Sequence, residues 1–177
     1  MQMKQKPLIL TLRLDAESQA FFGGLRQRYF PRERNHLEAH LTLFHQLPEE
    51  AATRQYLEEL RQKAFELQVT CLRHLGVGVA YVLQCDRLFA LHRELSARFR
   101  AALIAQDRYP FRPYITVQNK VSPEVSKALL AELSQSFRPF TVAATGMDLW
   151  EYLGGPWKHT GFYKFNELKD ELDLSEV

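Results

Sequence analysis

The stretch His40-Leu41-Thr42-Leu43 decides how this chain folds. It lies in an apolar run, Ala39 to Leu47, that reads as a buried strand. A second segment, Tyr114-Ile115-Thr116-Val117, follows a turn and repeats the order: ring residue, aliphatic, Thr, aliphatic. Side chains on a strand alternate between faces with a period of two. His40 and Thr42 therefore share one face, as do Tyr114 and Thr116, while Leu41, Leu43, Ile115 and Val117 turn into the core. Two such faces meeting across a cleft present an imidazole, a phenol and two hydroxyls, a set suited to gripping a phosphate. On the same parity His45 leaves this face, unless the strand carries a bulge.

Outward from these segments, the chain reads as two similar series. Leu8 to Leu14 alternates as a strand, Asp15 can cap a helix from Ala16 to about Tyr29, and Pro48-Glu49-Glu50 opens a helix running to about Glu66. Gln68 to Leu75 is a third strand. The second series has a strand at Gly78 to Cys85, a helix capped by Asp86 and running to about Ala105, and a strand at Tyr114 to Val121. It continues with a helix from Ser122-Pro123-Glu124 to near Ser134, a strand at Phe137 to Thr145, an extended stretch from Met147 to Leu153, and a last strand at Thr160 to Phe165. The expected fold is α+β and bilobal. Two pseudo-twofold strand-helix-strand-helix-strand lobes, about 7–75 and 78–167, form antiparallel sheets lining a central cleft, with helices outside and a tail at 168–177. No Gly-, Ser- or Pro-rich linker separates the lobes, so residues 1–177 are read as a single domain.

Composition narrows the function. An apolar content of 46% in 177 residues supports a real core, and a net charge of +2 does not mark a nucleic-acid binder by charge alone. Cys71 and Cys85 form no CxxC pair, which suits a reducing compartment better than a zinc site or disulfide framework. The short polar start, Met1 to Pro7, lacks the apolar centre of a signal peptide, and no apolar run is long enough for a membrane span. A cytoplasmic monomer is the expectation.

The chemistry follows from the cleft residues. Two imidazoles facing each other across a phosphodiester can exchange protons with the attacking and leaving oxygens, because the histidine pKa lies near neutrality. Threonine hydroxyls donate to the non-bridging phosphate oxygens, where charge builds up. This needs no metal or other cofactor. With Tyr114 in the second segment, His40 is the base that activates water and the phenol is the donor, since a free phenol of pKa about 10 is a poor base at neutral pH. Arg112, beside Pro113, is a candidate either to hold a phosphate or to solvate a loop, Lys120 shares the parity of Tyr114, and Trp150, with Tyr152 and Trp157, offers a ring for stacking on a base.

The motif His40-Leu41-Thr42-Leu43 resembles the HxTx motif of the two-histidine (2H) phosphoesterases, the 2′-5′ RNA ligase-like group. Phe111 to Val121 resembles the second motif of its bacterial members, and Leu149 to Trp157 their C-terminal region. The resemblance covers nearly the whole chain. It implies a bilobal α+β fold with a central cleft and hydrolysis of 2′,3′-cyclic phosphates or related cyclic phosphodiesters. In some members it also implies reversible joining of RNA ends through 2′-5′ linkages, so the implied partners are RNA ends or cyclic-phosphate nucleotides. The carry-over covers His40, Thr42 and Thr116. At Tyr114 the family has its second histidine, which leaves two functional expectations: a weakened phosphoesterase, or a module that binds the phosphate of RNA or a nucleotide without turning it over.

Overall fold

The computed structural model describes residues 6–167; the expected tail at 168–177 lies outside the described residues. The first half runs β1 (Leu8–Leu14), α1 (Ala16–Tyr29), β2 (Leu41–Leu47), α2 (Ala51–Glu59) and β3 (Phe65–His74). The second runs β4 (Val79–Gln84), α3 (Asp86–Arg98), α4 (Ala105–Arg108), β5 (Tyr114–Gln118), α5 (Pro123–Ser136), β6 (Phe140–Tyr152) and β7 (Trp157–Lys164). Asp15 caps α1 by accepting from the Ser18 N–H at 2.9 Å, and it also accepts from the Ala143 N–H at 3.0 Å, which pins the helix start to β6.

Among the described residues all strand pairs are antiparallel, and they join into one seven-stranded sheet in the order β2-β1-β6-β3-β4-β5, with β7 also on β6. The long β6 makes this possible. One edge carries β1, from Leu8↔Glu151 to Leu14↔Ala144; the other carries β3 over Phe140–Ala144 and then β7 over Gly146–Tyr152. The third strands are thus exchanged: β3 lies beside β4, and β6 beside β1. Helix contacts cross in the same way. Arg26 of α1 donates to the Thr116 carbonyl of β5 at 3.3 Å, and His92 of α3 donates to the Leu43 carbonyl of β2 at 3.2 Å. Each motif strand is braced by a helix from the opposite half.

Several boundaries differ from the sequence expectation, for physical reasons. The helix after Pro48 ends at Glu59, not near Glu66, because Phe65, Leu67 and Val69 are buried at every second position and belong to β3. Asp86 is the first residue of α3 and not its cap; Cys85 holds that position without a side-chain bond. That helix ends at Arg98, and a short 3₁₀ turn leads to α4, which occupies part of the expected loop. β5 stops at Gln118, and the chain turns at Lys120 with φ of 60°. The expected strand at 137–145 and the extended stretch at 147–153 are one strand, β6. Gly78 lets β4 begin hard against β5, since a Cβ there would sit 2.0 Å from the Gln118 carbonyl oxygen. Among the described residues, no helix is long and apolar enough to cross a membrane.

Candidate active site

His40 immediately precedes β2, and Thr42 is its second residue. Their phase is set by pairing with β1. Thr11↔Thr42 and Leu10↔Phe44 advance one residue on β1 for two on β2, so the strand bulges at Leu43. Leu43 and Phe44 are consequently both buried, and His45 swings to the side of His40 and Thr42. The condition under which His45 joins the cleft is therefore met, whereas simple alternation turns it away.

A cavity of about 410 Å³ collects His40, Thr42, His45, Arg112, Tyr114 and Thr116, together with Arg73 from β3, Asp107 from α4 and Trp157 from β7. Tyr114 is 39% exposed, with the Arg73 guanidinium 5.7 Å from its ring centre. Two sequence candidates lie outside this cavity. Lys120 shares the parity of Tyr114 only while the strand continues, and the chain has already turned there. Trp150 donates its indole N–H to the Thr11 hydroxyl at 2.9 Å and lines a second cavity of about 860 Å³. Trp157 is the indole at the site: its ring centre is 4.8 Å from that of His40, and the two residues line both cavities.

The His40 ring is held in one tautomer. Its Nδ1 lies 2.7 Å from the Glu38 carbonyl oxygen, which can only accept, so Nδ1 carries the hydrogen and Nε2 keeps a lone pair. Burial pushes the imidazole pKa down to about 4; the Glu38 bond opposes this, and the positive fields of Arg26 and His45 add to it. The ring is thus neutral at physiological pH.

His45 has a different environment. Its Nδ1 donates to the Asp107 carboxylate at 2.8 Å, and that carboxylate also accepts from the backbone N–H groups of His45 and Gln46, at 2.9 and 3.0 Å. Burial alone would push the Asp107 carboxyl up, but the bonds from the His45 ring and the two N–H groups outweigh it and hold the acid below the usual carboxylate range. Behind them, His92 is sandwiched between Phe44 and Phe111, with ring centres 4.6 and 3.9 Å away, and burial lowers its pKa. Sequence reasoning missed His45 because of the bulge, and Asp107 because no periodic pattern marks its short helix.

The architecture is shared with several solved structures. It matches TT0787 of Thermus thermophilus with a TM-score of 0.64 at 16% identity, covering 92% of this chain and 100% of that one. It matches a protein described as a phosphoesterase with a TM-score of 0.61 at 20% identity, covering 92% and 99%. It also matches E. coli LigT, solved with 3′-AMP, with a TM-score of 0.57 at 18% identity, covering 92% and 99%. At the level of sequence, no curated protein matches the chain. The family model described as "2′-5′ RNA ligase superfamily" matches residues 14–156, and the chain belongs to that family.

Proposed function

We propose that this protein is a metal-independent phosphoesterase acting on 2′,3′-cyclic phosphates or 2′-5′-linked RNA and nucleotides. The observation that carries this reading is the neutral His40, with Nδ1 pinned and Nε2 bearing a lone pair, in one cavity with Thr42, Thr116, Tyr114 and Arg112. In this reading His40 takes a proton from water as its oxygen attacks phosphorus. The Thr42 and Thr116 hydroxyls and the Arg112 guanidinium bind the non-bridging oxygens, and the Tyr114 hydroxyl hydrogen-bonds the leaving oxygen. Structures of the fold relative LigT with 3′-AMP, NADP+ and ATP support a nucleotide ligand. The proposed setting is the cytoplasm, where the free thiols of Cys71 and Cys85 persist.

The test is turnover of nucleoside 2′,3′-cyclic phosphates and 2′-5′-linked dinucleotides with EDTA present. Tyr114→Phe is expected to lower kcat about tenfold, the worth of one hydrogen bond of roughly 1–1.5 kcal/mol. The phenol of Tyr114 also motivates a second reading, a phosphate-binding module without turnover. An inactive native chain that binds nucleotides and gains activity on Tyr114→His would decide for it.

A further inference from the structure

We propose that His45, held by Asp107, is the proton donor of this cavity and works together with His40. This rests on the phosphoesterase reading above. Two features lead to it. The bulge at Leu43 brings His45 onto the wall of the same cavity as His40, Thr42, Tyr114 and Thr116. The ring is fixed by a buried carboxylate through Nδ1, which leaves Nε2 as the working nitrogen, and its side chain is 45% exposed, open to a ligand. An imidazole whose remote nitrogen is fixed by a carboxylate is oriented for proton transfer and has an anionic partner for its protonated form.

The need for such a group is chemical. A phenol with a pKa of about 10 is a much weaker acid than imidazolium near neutral pH. Tyr114 can hold the leaving oxygen by a hydrogen bond while the proton comes from elsewhere. Water's oxygen forms the new bond to phosphorus, and its proton goes to Nε2 of His40. The bond from phosphorus to one ribose oxygen breaks, and the electron pair leaves with that oxygen. Nε2–H of protonated His45 then gives its proton to the oxygen, leaving a neutral ring still bonded to Asp107 through Nδ1. The product is a phosphomonoester and a free hydroxyl, and solvent returns the proton from His40 to His45.

His45 contacts Asp107 from α4, and the other charged or titratable groups lining its cavity are His92 from α3, Arg73 from β3, His40 just before its own strand, Tyr109 and Arg112 from the segment leading into β5, and Tyr114 of β5. His45→Gln separates their roles, because glutamine keeps a donor for Asp107 and removes the titrating ring. The experiment measures kcat against pH on a nucleoside 2′,3′-cyclic phosphate for the native chain, His45→Gln, Tyr114→Phe and His40→Gln, with circular dichroism confirming that each is folded. The expected result is a loss of about 10²-fold in kcat and of the alkaline limb in His45→Gln, with that limb intact in Tyr114→Phe. An unchanged alkaline limb in His45→Gln, or its loss in Tyr114→Phe, overturns the proposal while activity that depends on His40 leaves the phosphoesterase reading standing. A native chain inactive on every probe overturns both.

Discussion

Replacing His40 by alanine is expected to lower kcat on a 2′,3′-cyclic phosphate by about 10²–10⁴-fold, the usual contribution of one positioned general base. KM should change little, because Thr42, Thr116 and Arg112 remain to hold the phosphate. The geometry gives a second signature. A base whose pKa lies at about 4 stays free of its proton far below the pH at which a solvated histidine charges. The acid limb of kcat/KM should therefore fall near pH 4 and not near 6.5. The same ring shapes stability. Its pKa is depressed in the folded chain, so between pH 6.5 and 4 the unfolded chain binds more protons, and stability drops as pH falls through that window. Denaturant titrations of the native chain and His40→Gln across pH 4–7 should show a shallower acid loss in the variant. Full activity in His40→Ala would sink the assignment of His40 as the base.

Phe22→Ala is expected to cost about 3–5 kcal/mol of folding stability, the range for emptying a buried phenylalanine site. Phe22 is fully buried, and its ring meets Phe21 edge-on at 5.1 Å, Tyr81 at 5.5 Å and Phe140 at 6.2 Å. It therefore joins α1 to β4 and β6, three elements from both halves of the chain. The melting temperature should fall by roughly 6–20 °C, at about 2–4 °C per kcal/mol for a chain of this size. Phe21→Ala is the internal control: that ring is 45% exposed, so its loss should be much smaller. Equal melting temperatures for the two variants would show that the α1 contact does not hold the halves together. Because Arg26 of the same helix bonds the Thr116 carbonyl, Phe22→Ala should also weaken turnover at temperatures where the fold persists.

The part of the fold read correctly from sequence depends on local physics. Asp15 before an acidic first turn marks α1, and its ends at Ala16 and Tyr29 match the expectation. Ser122-Pro123-Glu124 likewise marks α5, with the Ser122 hydroxyl accepting from the Val125 N–H. Alternation in both motifs correctly puts Leu41, Leu43, Ile115 and Val117 in the core. Long-range pairing was less legible. The parity of His45 depends on a bulge fixed by how β2 meets β1. Lys120 lies outside the cavity because the strand ends before it, and Trp157, not Trp150, lines the cavity with His40. Asp107 had no sequence signal, because its partners are two backbone N–H groups and a ring on another strand.

The exchange of third strands has a consequence for synthesis. β1 and β2 emerge from the ribosome first, yet the outer edge of β1 has no neighbour until β6 has been made, near the end of the chain. That edge carries Leu8, Ile9, Leu10 and Leu12, all buried in the finished fold. An unpaired apolar edge is a template for strand addition by another molecule. Chains that stop before Phe140 are therefore expected to aggregate more readily than the full chain, read as light scattering of the two, because β6 is the strand that pairs this open edge of β1.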